Sequence, residues 1–299
     1  MRRSRRRPLT TLDGTTAVIT GAGSGVGRLL ALGLAARGAK IAVWDLDGEA
    51  AERTAAEIRG TDGVAEAFRC DVSDRADVAA VAEQTQRALG PVGILINNAG
   101  VVSGSRFEDT TAEQVQRTFG VNALALFWTV QALLPEMRRR DRGMIVNIAS
   151  AAGIVGVARQ TDYAASKFAA VGFTESLRAE LRAEDSGVQT MIVCPYYIST
   201  GMFDGVTTRF PALLPITAPE DAAEKILRGI DAGRARVVFP PAVLSTYAFR
   251  LLPVPVAERA MDILGVNRGM EGFRGRQPQQ GTGVRQDQEQ MGSPRGHTR

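Results

Sequence analysis

A chain of 299 residues with 44% apolar composition can bury a substantial core, as one large domain or two small ones. Its formal charge of +4 sits at the ends, with +5 from Arg2, Arg3, Arg5, Arg6 and Arg7 and +3 from position 267 onward; the −4 left between them argues against a nucleic-acid-binding face. The single histidine, His297, stands in a Gln/Gly/Arg-rich end, and Cys70 and Cys194 form no paired framework, which argues against His-based triads, His-ligated metal and a disulfide scaffold and points to a reducing, cytoplasmic compartment.

The basic arm over 1–11 runs into Pro8 and polar residues, without the apolar run of a secretory signal. A β-branched run at 15–20 then predicts a strand, the glycines after it a turn, and the spacing of Val26, Leu29, Leu30, Leu32 and Leu34 a helix over 25–37. Further strands are predicted at 40–44, 64–69, 92–97, 143–149, 188–194 and 237–239, and helices at 48–59, 74–89, 111–139 and 161–184. This alternation predicts an α/β fold: a single Rossmann-type domain over 12–266, with a doubly wound sheet of seven mainly parallel strands and helices on both faces. Ligands are then expected outside the carboxyl ends of the strands. Composition predicts a flexible polar tail over 267–299.

The first of those strand ends carries T-G-A-G-S-G-V-G over 20–27. The common G-x-G-x-x-G spacing fails at Val26, whereas G-x-x-x-G-x-G holds through Gly21, Gly25 and Gly27. Glycines let the backbone approach a pyrophosphate and aim helix N–H groups at it, so Gly21, Ser24, Gly25, Val26 and Gly27 are candidate dinucleotide-binding residues; a tight turn has the same pattern. Asp45 closes the second strand 24 positions after Gly21, where a carboxylate suits an adenosine ribose and repels a 2′-phosphate. NAD is therefore expected over NADP. The other reading is that Asp45 caps the following helix, as Asp71 and Ser73 could cap theirs.

Asn97-Asn98-Ala99-Gly100 ends the fourth strand, and Asn122 stands in an otherwise apolar helix, as a bridge to a backbone group or as part of a polar site. Ser150 closes the fifth strand, 13 residues before Tyr163. Tyr163 and Lys167, four positions apart, share one helix face. An ammonium beside a phenol of ordinary pKa about 10 favours the phenolate and makes a usable acid/base, although an amphipathic surface helix has the same spacing.

Together these residues resemble the classical short-chain dehydrogenase/reductase family over about 12–240. The glycine turn, the N-N-A-G segment and Asn122, Ser150, Tyr163 and Lys167 match in order and spacing, whereas the related extended family's T-G-x-x-G-x-x-G turn fails at Ser24. The resemblance implies Tyr163 as general acid/base, Lys167 lowering its pKa and bonding the nicotinamide ribose, Ser150 positioning the substrate oxygen, and Asn122 holding a water that relays protons. It also implies Asp71 and Val72 against adenine, Asn98, Ala99 and Gly100 in the cofactor groove, and Pro195, Ile198 and Thr200 at the carboxamide. Where the family often has Pro-Gly, this chain has Pro195-Tyr196-Tyr197, which changes the adjacent pocket wall. That variant, with Leu264, Gly265, Val266, Asn267, Met270, Phe273, Gly275 and Arg276, resembles the subgroup of retinol dehydrogenases and lipid-associated hydroxysteroid dehydrogenases.

A lid expected around 196–217 and its surroundings hold Ile154, Val155, Val157, Phe203, Val206, Phe210, Leu213 and Leu214, which suits a lipophilic alcohol or ketone of retinoid, steroid or long-chain type, or equally an oligomer contact. The apolar segment over 237–266 is broken by Pro240, Pro241, Pro253 and Pro255, so no spanning helix is expected there. Residues 242–252 read as a lid helix or as a peripheral contact with a membrane surface. The long helices at 111–139 and 161–184 imply, by the same resemblance, a homodimer or homotetramer. The alternative to an enzyme is a non-catalytic dinucleotide-binding redox sensor or lipid-surface scaffold.

Overall fold

The computed structural model describes residues 12–275; the arm at 1–11 and positions 276–299, with Arg276 and His297, lie outside the described residues. Seven strands form one sheet: β1 (Thr16–Thr20), β2 (Lys40–Asp45), β3 (Ala65–Arg69), β4 (Val92–Asn97), β5 (Gly143–Ile148), β6 (Val188–Pro195) and β7 (Arg236–Phe239). Their order is β3-β2-β1-β4-β5-β6-β7 and every pairing is parallel. The chain winds outward from β1 to β3 and returns to β4 on the other side of β1, so a crevice opens between the ends of β1 and β4.

Side-chain alternation sorts the core into two layers. Ala17, Ile19, Ile41, Val43, Ile94 and Ile96 face α1 (Gly25–Ala35), α2 (Gly48–Arg59) and α7 (Pro219–Asp231). Val18, Ala42, Trp44, Leu95 and Ile145 face α3 (Arg75–Leu89), α5 (Ala125–Arg139) and α6 (Thr161–Ala183). The indole of buried Trp44 donates to Thr85 Oγ1 at 2.9 Å, so its polar edge is satisfied.

Three features depart from the expected elements. The helix predicted over 111–139 is α4 (Ala112–Phe119), a π-helical turn at Gly120–Leu124, and then α5; the widened turn carries Asn122. By length and composition Ala112–Arg139 could cross a membrane, but half of its apolar 18-residue window is buried, and Val130, Leu133 and Met137 stand in the core. Helix α7 opens on Pro219 with Glu220 and Asp221 in its first turn, a start signal that periodicity among the strands did not resolve. The expected tail boundary at 267 falls too early. Met270 is fully buried, Thr207 N donates to Gly269 O at 3.1 Å and Arg274 N to Asp204 O at 2.8 Å, so 267–274 straps the lid. The strap needs glycine at its crossing: Gly205 has φ +85, and a Cβ there would stand 1.9 Å from Gly272 O.

Beneath the strand ends a buried polar chain ties four elements together. Asn97 Nδ2 donates to Asn147 Oδ1 at 2.8 Å, Thr129 Oγ1 donates to Asn97 Oδ1 at 2.9 Å, and Asn147 Nδ2 donates to Thr174 Oγ1 at 2.8 Å. Asn147→Val keeps the side-chain bulk but strands the Asn97 amide, and should lower stability by about 2–4 kcal/mol in urea denaturation. An unchanged midpoint would mean these bonds contribute nothing.

Candidate active site

One cavity of about 530 Å³ runs from the end of β1 to the C-terminal segment and is lined by every residue expected at the site except Asn122. At its first end, Ser24 precedes α1 with extended backbone and makes no side-chain cap, unlike Asp47, Asp74 and Thr111, which cap α2, α3 and α4. The first N–H groups of α1 are thus left for an anion. The turn closes by backbone contact: a Cβ on Gly27 would stand 2.2 Å from Gly21 O. A glycine-lined, uncapped helix start fits a pyrophosphate, so a dinucleotide fits this end of the cavity.

Asp45 does not cap α2, because Asp47 does. Its Oδ2 accepts from Gly23 N at 2.8 Å and Oδ1 from Asp47 N at 3.0 Å, which hold the carboxylate against the glycine turn. Leu46, 55% exposed, follows it on the wall in place of a cation. Nor do Asp71 and Ser73 cap α3: Asp74 does, while Asp71 Oδ1 accepts from the Ser73 N–H and hydroxyl. Asp71 and Val72 line the cavity.

The N-N-A-G segment docks onto the turn. Thr20 Oγ1 accepts from Asn98 N and Ala99 N, both at 3.0 Å, and Asn98 Nδ2 donates to Thr20 O at 2.9 Å and Gly21 O at 3.1 Å. From the far side Thr200 reaches the turn as well, since a Cβ on Gly25 would meet it at 3.6 Å. Three segments remote in sequence, 20–27, 98–100 and 195–200, therefore enclose one groove with Pro195 and Ile198 on its wall.

Asn122 is the structural bridge. Its Oδ1 accepts from Val101 N at 2.9 Å and its Nδ2 donates to Val101 O at 2.9 Å and Ser166 Oγ at 3.0 Å. Both amide protons are committed, so the water that the resemblance assigns to Asn122 would donate to Oδ1, which has a second lone pair, or to the backbone carbonyl. What it does is hold the loop after β4 against α6.

Ser150 and Tyr163 both line the cavity, and the Tyr163 ring stands edge-on to Phe203 at 5.7 Å. Lys167 Nζ donates to Ile148 O at 2.9 Å and lies 5.6 Å from the centre of the Tyr163 ring. Burial pushes the phenol up to about 12, and the neighbouring Ser150 hydroxyl opposes that only in part. The same burial pulls Lys167 down to about 8. Desolvation in one dry pocket thus leads for both groups, moving the phenol and the ammonium each toward its neutral form.

Several residues at or beside the cavity had no site role in the sequence. Asp162, next to Tyr163, accepts from Ser103 Oγ at 2.8 Å and Thr118 Oγ1 at 2.7 Å, fastening the start of α6 to the loop after β4 and to α4. Gln160, Cys70 and Arg117 line the cavity itself, and so do Met261, Leu264 and Val266. Of the lid residues expected, Val155, Val157, Phe203, Leu213 and Leu214 line it; Ile154, Val206 and Phe210 do not. The proline-broken segment forms a short helix, α8 (Ser245–Phe249), and then α9 (Val254–Ile263). Val243, Thr246 and Phe249 face inward, while Leu244, Leu251 and Leu252 are exposed. Irregular backbone hid these contacts, because no period marks an inward face.

The sequence model of short chain dehydrogenases matches residues 15–209. Epidermal retinol dehydrogenase 2 of Homo sapiens is 41% identical over 270 residues, covering 89% of this chain and 87% of that protein. Estradiol 17-beta-dehydrogenase 11 of Homo sapiens is 39% identical over 251 residues, 83% of this chain and 82% of the other. Among solved structures, a short chain dehydrogenase/reductase from Burkholderia phymatum in complex with NAD superposes with a TM-score of 0.75 at 31% identity, covering 82% of this chain and 95% of that one.

The buried lysine makes a testable statement about stability. In the fold Lys167 loses its proton near 8, whereas unfolded it keeps it to about 10.5, so the unfolded chain binds more protons in that window and stability rises with pH. The rise is at most about 1.4 kcal/mol per pH unit. Urea midpoints across the window should show it in the wild type and lose it in Lys167→Met; parallel profiles would refute a depressed lysine.

Proposed function

Because the chain belongs to the short-chain dehydrogenase family, a nicotinamide-dependent oxidoreductase of alcohols and carbonyls, we propose that it acts on a lipophilic substrate, with NAD preferred. The observation that carries this reading is the meeting of Ser150, Tyr163 and Lys167 in a cavity whose far half is walled by Val157, Phe203, Leu214 and Met261. A bound nicotinamide dinucleotide supplies the hydride acceptor or donor.

The chain's own residues bind, orient and move one proton. The start of α1 with Gly21, Ser24, Gly25, Val26 and Gly27 holds the pyrophosphate, Asp45 the adenosine ribose, and Asp71 with Val72 the adenine. Asn98, Ala99 and Gly100 shape the groove, Lys167 bonds the second ribose, and Pro195, Ile198 and Thr200 face the carboxamide. Ser150 and Tyr163 hold the substrate oxygen between their hydroxyls. Tyr163 Oη gives its proton to a carbonyl oxygen in reduction and takes it from the hydroxyl in oxidation. Asn122 and Asp162 are positioning residues. The choice of NAD rests on the carboxylate of Asp45, which leaves no favourable site for a 2′-phosphate.

A non-catalytic sensor or scaffold gains no support, since such a protein needs neither Ser150 with Tyr163 in one cavity nor an apolar chamber beyond them. Peripheral membrane contact through 242–252 is supported by the outward Leu244, Leu251 and Leu252. A homodimer or homotetramer through α4, α5 and α6 is supported by exposed Val115, Leu124 and Phe127, the last packed on Phe173 at 4.7 Å.

Tyr163→Phe should retain NAD binding by calorimetry and lose about 10²–10⁴-fold in kcat on a lipophilic alcohol followed at the nicotinamide absorbance. Turnover that survives would remove Tyr163 from the chemistry. Asp45→Asn keeps an acceptor for Gly23 N, and should narrow the preference for NAD over NADP by about tenfold in kcat/KM. An unchanged ratio would place the discrimination elsewhere.

A further inference from the structure

Within the apolar half of the cavity stands one buried polar pair that the proton chemistry does not use. Gln160 is 1% exposed and Tyr197 7% exposed; both line the cavity, and Gln160 Nε2 donates to Tyr197 Oη at 3.2 Å. An amide can make four hydrogen bonds and a phenol hydroxyl up to three. Among the described residues no group takes the Tyr197 hydroxyl hydrogen or the second amide proton of Gln160.

Both side chains are held rigidly. Gln160 precedes α6, one turn before Tyr163, with its carbonyl accepting from Ala164 N and its own N–H donating to Val157 O at 3.3 Å. The Tyr197 ring packs against Tyr196 at 4.5 Å and Phe203 at 5.1 Å, and Phe203 in turn packs against Tyr163. Tyr197 O also accepts from Thr217 N at 2.9 Å. Burial raises the Tyr197 hydroxyl pKa, so it remains a neutral donor. A phenylalanine would make the same ring contacts. The hydroxyl and the buried amide have a use if an oxygen on the ligand meets them, because such a site rejects analogues lacking that oxygen.

We propose that Gln160 and Tyr197 form a second oxygen-binding subsite, and that the preferred substrate is a lipophilic alcohol or ketone bearing a further hydroxyl or carbonyl on its skeleton. This rests on the reading of the cavity as an alcohol/carbonyl oxidoreductase site and narrows its substrate class. The reacting oxygen sits at Ser150 and Tyr163, the second lies across Phe203, and a monofunctional skeleton leaves the Tyr197 hydroxyl hydrogen and the second Gln160 amide proton without an acceptor.

The test compares matched probes, a monohydroxy with a dihydroxy androstane and dodecanol with dodecanediol, in wild type, Tyr197→Phe and Gln160→Leu. Wild type should favour a dihydroxy member by about tenfold or more in kcat/KM, mostly through KM, and both variants should bring the ratio to within about twofold. Equal wild-type values for both pairs, or a preference that both variants keep, would overturn the subsite. Should no probe turn over, the enzyme reading itself fails. The subsite is then judged by calorimetry of the dihydroxy androstane with NAD present: about tenfold weaker binding in Tyr197→Phe supports it, and equal or absent binding overturns it. Thermal unfolding confirms that each variant is folded.

Discussion

The hydrogen bonds between the ends of β1 and β4 are the constraint on which the site depends. Thr20 accepts two backbone N–H groups from the segment after β4, while the Asn98 amide donates back to the two carbonyls that begin the glycine turn. Crossing the switch point of the sheet, they set the spacing between the glycine turn and the loop that Asn122 then fastens to α6. Because the same loop continues to Ser103, which bonds Asp162 beside Tyr163, the cofactor end and the chemical end are connected through one stretch of backbone. A loosened turn would therefore displace both.

The second physical theme is desolvation. Tyr163 and Lys167 are both nearly inaccessible, and burial moves each toward its neutral form, the phenol upward and the ammonium downward. Sequence spacing places the two groups on one helix face but carries no information about how dry that face is. Dryness comes from Ala149, Ala152, Val157 and Phe203, which arrive from the β5 end and the lid. The same enclosure suits an apolar substrate, so electrostatics and substrate class have one origin.

Much of the fold was legible because its signals are local. Alternating apolar runs marked the seven strands, and glycine positions marked the turn. The polar residues closing strands marked the groove, down to Ser150 and the Tyr163 helix. The alternative of capping was not decidable from sequence: Asp45 and Asp71 look as suitable as Asp47 and Asp74, and only backbone geometry separates a cap from a residue that braces a loop. Asn122 was visible as a polar residue needing a partner, but the partner, Val101, lies in an irregular loop that no pattern announces.

The sequence by itself determined the α/β architecture, the glycine turn and the identity and order of Asn122, Ser150, Tyr163 and Lys167, because each depends on residue type and short spacing. Tertiary structure alone decided the rest: the π turn that aims Asn122, the strap over the lid, the inward face of 242–266 and the pairing of Gln160 with Tyr197. Those features join residues tens of positions apart across irregular backbone. Contact there is set by how layers close over a cavity, not by any period along the chain.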